Sequence, residues 1–100
     1  MKCPSYNMFF ETISTKTRME ILCLLRERAM SVSEICKALG EEQSKISHNL
    51  KRLIDCHVLE VNKKGKKRIY SLNKDTIIPI LDLVEKHVKK YCGEVCKKIK

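Results

Sequence analysis

Apolar residues recur along most of this chain at helical spacing, and two short stretches alternate instead. Tyr6 to Ile13 carries Met8, Phe9, Phe10 and Ile13, which predicts a first short helix. Ser14 and Thr15 then offer N-caps for a second, whose Met19, Ile21, Leu22, Cys23 and Leu25 keep the helical period to about Arg28. Ser31 and Glu34 form the Ser-x-x-Glu pattern of a capping box at the start of a third helix. Gly40 closes that helix by supplying a left-handed residue. A fourth helix begins within a few residues, near Gln43, and runs to Asp55. Ile46, Leu50, Leu53 and Ile54 mark its buried face. Glu41 and Glu42 lie where the positive end of its dipole favours carboxylates. Val58 to Asn62 and Arg68 to Leu72 alternate apolar and polar residues around Gly65, the pattern of a hairpin. Asn73 and Asp75 precede a long last helix. Pro79 is tolerated only in a first turn, which places the cap at Asp75 or Thr76.

The order is therefore four helices, two strands and a helix: a mainly α chain with a small β-hairpin wing, forming one domain over residues 1–100. Two helices joined by a tight turn and followed at once by a basic hairpin outline a winged helix-turn-helix. In that arrangement the N-terminal half of the second helix meets base edges. Gln43, Ser44, Lys45, Ser47 and His48 occupy that half. Gln can pair bidentately with adenine, Lys can donate to guanine, and Ser can bind either bases or phosphate. The hairpin tip reads Lys63-Lys64-Gly65-Lys66-Lys67-Arg68, five cations in six residues. It suits phosphate contacts that give affinity more than specificity. Lys51 and Arg52 extend the basic set. The bland reading of all these residues is a solvated surface.

Composition sharpens this. Net charge is +9, from 21 Lys and Arg against 12 Asp and Glu. Such an excess favours a polyanion, because each phosphate contact releases condensed counterions. Charge alone also fits RNA, an anionic membrane or an acidic protein. No apolar run approaches bilayer length and no signal-peptide pattern opens the chain, so a cytoplasmic location is expected. There is no glycine-rich phosphate cradle and no metal-hydrolase helix pattern. The three histidines lack a companion carboxylate at an informative spacing. An enzyme is not expected.

In the last helix Ile77, Leu81, Val84, Val88, Tyr91 and Val95 recur at steps of four and three, which is heptad spacing. Such a seam either packs on the domain's own core or joins two copies. The expectation is a symmetric homodimer built from residues 76–98 together with Phe9 and Phe10 of the first helix.

Six cysteines invite a disulfide reading. Cys23 and Cys36 sit among apolar neighbours and read as small buried hydrophobes, and the remainder are expected as reduced thiols. Cys92 and Cys96 lie one helical turn apart and point the same way. With Cys3 of either chain they are candidate ligands for Zn(II), Cd(II) or As(III), or else they pad the dimer edge.

The chain resembles the ArsR/SmtB family of winged-helix repressors. The residues that carry the likeness are Thr17 to Leu22, Ser33 to Leu39, Gln43 to Leu53, Gly65 and Arg68 to Leu72. The resemblance implies a homodimer on a palindromic operator, which in many members is released when a metal or metalloid binds. Four departures matter. Asn49 stands where the family often has His, and His57 where a glycine usually follows the recognition helix. Ser31 and Ser33 occupy the positions of the family's Cys-x-Cys arsenic or cadmium box, and Ile77 that of a zinc-binding His. No cofactor is required on this reading, and any metal falls to the cysteines near the termini.

The expected function is a sequence-specific DNA-binding transcriptional regulator. It reads as a homodimeric repressor on a pseudo-palindromic operator, with a thiol or metal response left open. The alternatives are a constitutive or architectural DNA binder without an effector, and a winged-helix protein-interaction module. Glu41 and Glu42, close to where phosphates would lie, argue for the last.

Overall fold

Ser5, Thr15 and Ser31 each start a helix in the same way: a side-chain oxygen accepts a backbone N–H that the helix leaves unpaired. The structure is a computed structural model and describes residues 5–92. Helix α1 spans Tyr6–Ile13, α2 Lys16–Glu27, α3 Val32–Leu39, α4 Gln43–Asp55 and α5 Ile77–Tyr91. The capping box at α3 is complete. Glu34 N–H donates to Ser31 Oγ at 3.3 Å, and Ser31 N–H donates to Glu34 Oε1 at 3.0 Å. Gly40, at φ +66°, ends α3, and its N–H donates to the Cys36 carbonyl at 2.8 Å.

The sheet has three antiparallel strands rather than the two expected. Strand β1 is Met30–Ser31, β2 is Leu59–Lys64 and β3 is Lys67–Leu72, in the order β1-β3-β2. Two residues are too few to show an alternating pattern, so β1 has no signature of its own. It exists because Met30 pairs with Tyr70, and Ser31 with Ile69. Towards the tip, β2 runs two residues and β3 one residue further than the alternation implies, as far as the Lys64–Lys67 pair. Gly65, at φ +62°, takes the first position of the two-residue loop, as a type II′ turn requires.

Three helices meet at one centre. Ile21 and Leu22 of α2, Ile35 of α3, Ile46, Leu50 and Leu53 of α4, and Val58 beyond it are fully buried. Each such side chain contributes about 1.5–3 kcal/mol by leaving water. The N-cap of α5 is Thr76, one of the two expected positions, and Asn73 organises the entry to it. Its Oδ1 accepts from the backbone N–H of Asp75 and Thr76, and its Nδ2 donates to the His57 carbonyl at 2.8 Å. Thr76 occupies the cap position without a side-chain bond.

The heptad seam of α5 divides. Ile77 is only 3% exposed and belongs to its own chain's core, so it has no surface to offer a second copy. Leu81 and Phe9 pack against that core. Val84, Tyr91 and Phe10 remain exposed, as do Tyr6 and Leu83, which the pattern did not single out. Val88 is half-buried, and Val95 lies outside the described residues. Arg26 of α2 grips α5 through Asp82, at 2.7 Å, and Glu85, at 3.1 Å.

The cysteines depart from the all-thiol expectation at one position. Cys23 and Cys36 form no disulfide and are only half-buried, and Cys92 forms none and is exposed. Cys56 is disulfide-bonded, and its partner lies outside the described residues. Cys56 sits beside Thr12 at the end of α4, not in a run whose pattern marks it as paired.

Candidate nucleic-acid interface

Burying Ile46, Leu50 and Leu53 turns the opposite side of α4 to solvent. Gln43, Ser44, Lys45, Ser47, His48 and Lys51 are all exposed there. No side chain caps the N-terminus of α4, since Glu42 makes no capping bond. Glu41 instead pairs with Lys45 one turn on, Nζ to Oε2 at 3.1 Å. The first turn of α4 thus offers unpaired N–H groups and a cation to an incoming anion.

Asn49 has a different role from its polar neighbours. Half-buried, it accepts from Arg18 Nε at 2.9 Å through Oδ1, and donates through Nδ2 to the Lys45 carbonyl at 2.9 Å. Arg18 also donates to the Thr12 carbonyl at 3.0 Å. Burial first, and then the positive charge of Arg52, lower the pKa of Arg18. Arg52 therefore stands on this half-buried flank beside Arg18, whereas Lys51 faces solvent.

Helix α4 ends in a Schellman motif. Val58 N–H donates to the Leu53 carbonyl and His57 N–H to that of Ile54, both at 2.9 Å. His57 takes the left-handed position at φ +60°, where glycine has no steric cost. The imidazole thus accepts the turn that glycine usually makes, and the direct continuation into β2 is preserved.

On the wing, Lys63 faces Arg68 and Lys64 faces Lys67 across the hairpin, and Lys66 projects from the turn. All are exposed, and among the described residues no carboxylate pairs with them. Directly opposed like charges on neighbouring strands destabilise a hairpin. A polyanion relieves that repulsion.

The positions that hold metal in the resembled family supply no ligands here. Ser31's hydroxyl is committed to the capping box, Ser33 is a second hydroxyl, and Ile77 is buried hydrocarbon. Among the described residues no group of three or more His, Cys, Asp or Glu side chains converges as a metal site. Cys92 is described and exposed, whereas Cys3 and Cys96 lie outside the described residues.

Comparison with known proteins agrees with this geometry. The family model described as "Bacterial regulatory protein, arsR family" matches residues 15–61, from the cap of α2 into β2. The "Transcriptional repressor SdpR" of Bacillus subtilis is 33% identical over 84 residues, spanning 80% of this chain and 93% of SdpR. The chain belongs to the arsR family. As a member of that family it is a DNA-binding transcriptional regulator, not an enzyme. The "HTH-type transcriptional regulator NmtR" of Mycobacterium tuberculosis is 31% identical over 72 residues. That match spans 72% of this chain but only 60% of NmtR. A solved homodimeric winged helix-turn-helix DNA-binding domain, Mb0332 from Mycobacterium bovis, superposes with TM-score 0.75. It is 22% identical and covers 81% of this chain and 75% of that one, which establishes the shared winged helix-turn-helix fold.

Within this arsR-family fold, reasoning from sequence placed α3, the turn, α4 and the wing together and missed the bridge from Arg18 to Asn49. The partners are 31 residues apart, and no local spacing marks them. The nearest signals were the cation at the start of α2 and the one amide among the charged and hydroxyl residues of mid-α4.

Proposed function

We propose that this chain is a homodimeric repressor that reads a pseudo-palindromic operator. Two copies of α4 enter successive major grooves, each presenting Gln43, Ser44, Lys45, Ser47 and His48 to base edges. Lys51, Arg52 and the wing residues Lys63, Lys64, Lys66, Lys67 and Arg68 hold the flanking phosphates. The observation that carries this reading is the polar, exposed face of α4 leading through a tight cap into an uncompensated cationic hairpin.

Dimerisation is supported by the apolar side chains that α1 and α5 leave in water. Tyr6 is 87% exposed, Phe10 56%, Leu83 67%, Val84 43% and Tyr91 66%. Side chains of that size dominate interface energetics when covered. The described homodimer of Mb0332 and the repressor function of SdpR favour the same arrangement here. Such a regulator acts where the chromosome is, in the cytoplasm. Among the described residues no helix is long and apolar enough to cross a membrane.

Any effector response falls to the thiols. Zn(II), Cd(II) or As(III) at Cys92, Cys3 and Cys96 would need the disulfide of Cys56 reduced first, because Cys92 alone is no donor set and the Ser31, Ser33 and Ile77 positions offer none. The reading is tested by selecting bound duplexes from a random-sequence library with the purified protein. A two-fold-related motif supports it. An unpatterned pool contradicts it and favours an architectural binder.

A further inference from the structure

We infer that Arg18 is a positioning residue for DNA reading. Its guanidinium locks α4 to the C-terminal end of α1 and so sets the separation of the two recognition helices in the dimer. The inference rests on the homodimer proposed above.

Arg18 lies in the first turn of α2 and satisfies two other helices at once. Nη1 donates to the Thr12 carbonyl at 3.0 Å, and Nε donates to Asn49 Oδ1 at 2.9 Å. Thr12 is 2% exposed and sits in the last turn of α1, where carbonyls lack intrahelical partners and the dipole is negative. A cation there is favoured on both counts. The other acceptor, Asn49, passes the contact inward, because its Nδ2 donates to the backbone carbonyl of Lys45. Lys45 is one of the residues that faces the groove. A chain of three hydrogen bonds therefore runs from the end of α1 to the reading turn of α4.

A second, lighter contact lies two turns further along α4. Cys56 Sγ is 3.9 Å from Thr12 Oγ1, and that hydroxyl donates to the Met8 carbonyl at 2.8 Å. One end of α1 is thus held against α4 at two points. The same short helix carries Tyr6 and Phe10, which are exposed and belong to the proposed dimer surface. Whatever rotates α1 at the dimer axis also displaces α4.

Only arginine performs this bridge. Its planar fork has donors in fixed directions, whereas lysine offers a single ammonium that cannot hold both acceptors in that geometry. The pair of contacts also separates positioning from charge. Arg18→Lys keeps the cation and loses the bridge. Asn49→Ala loses the bridge and keeps Arg18. Asn49→Asp keeps an acceptor for Nε and loses only the bond to Lys45.

The test uses the full-length dimer and a set of duplexes built on the site selected by the wild-type protein. The spacing between half-sites is shortened or lengthened by single base pairs. Wild type should bind one spacing about tenfold or more tighter than its neighbours, and Arg18→Lys and Asn49→Ala should level that preference to about threefold or less. Both variants should sediment as dimers and keep wild-type affinity for random duplex, and Asn49→Asp should retain the spacing preference. Unchanged preference in both variants overturns the inference. So does uniform weakening at every spacing, which marks a merely structural contact, and so does a wild-type protein indifferent to spacing. If Arg18→Lys fails to fold, Asn49→Ala decides. A wild-type chain that sediments as a monomer on DNA overturns the dimer reading itself, and that is seen before any variant is made.

Discussion

Lys45 Nζ lies 3.1 Å from Glu41 Oε2, one turn back along the opening of the recognition helix. The side chains are 48% and 31% exposed, and an i,i+4 pair in that setting is worth only about 0.3–0.5 kcal/mol. A base edge or phosphate can therefore take Lys45 from Glu41 at little cost. Glu41→Gln removes a carboxylate from beside the DNA and should tighten binding to any duplex about two- to tenfold at low salt. Lys45→Ala should lose about 1–3 kcal/mol on the selected site and relax the preference at one base pair. Fluorescence anisotropy on matched and single-substituted duplexes reads both effects.

Phe10 and Leu83 project from α1 and α5 into water and touch little of their own core. Placing a charge on each, as Phe10→Glu and Leu83→Glu, should produce a monomer by sedimentation. Thermal stability of the isolated fold should stay close to wild type, since surface changes usually shift stability within about 0.5 kcal/mol. A variant that remains dimeric would move the interface elsewhere.

His57 is the one non-glycine among the described residues with positive φ, at +60°. An L-residue held there is strained by about 1–2 kcal/mol, and glycine returns part of that gain as extra freedom in the unfolded chain. His57→Gly should therefore stabilise the protein by up to about 1 kcal/mol in urea unfolding. Operator affinity should be unchanged, because the Schellman bonds of Val58 and His57 are made by backbone alone.

Glu34 carries a pH signature. The backbone N–H of Ser31, and next the Arg28 guanidinium, hold its carboxyl below the ordinary value. A group depressed in the folded state stabilises the fold above its unfolded pKa, and that contribution is lost as pH falls through the folded one. Acidification through and below the usual carboxylate range should thus cost stability at the start of α3. Glu34→Gln keeps the reach-back bond to Ser31 and should flatten the acid limb of a stability–pH curve. An unchanged limb would assign the loss to other carboxylates.

These residues also mark where sequence is legible. Caps and left-handed glycines are local, so Ser31 with Glu34, Gly40 and Gly65 could be read directly, and α1 and α4 fall within their expected bounds. What failed was non-local. A period of apolar residues cannot distinguish the chain's own core from a second copy, so Ile77 joined the seam although it is buried at home. Strand β1 depends on β3, which lies some forty residues away. The Arg18–Asn49 bridge and the bonded state of Cys56 depend on which helices come together, and spacing does not encode that.

The central claim is tested most directly by measuring affinity for the selected site and for random duplex across a salt series, with wild-type protein and with Lys64→Gln plus Lys67→Gln. The account predicts a selected-site advantage of about a thousandfold or more at physiological salt and a linear fall of log affinity with log salt. It also predicts that the wing changes reduce the salt slope by about one per lysine on both duplexes, and leave the ratio between them intact. Equal affinity for selected and random DNA, or binding that ignores salt, would contradict it.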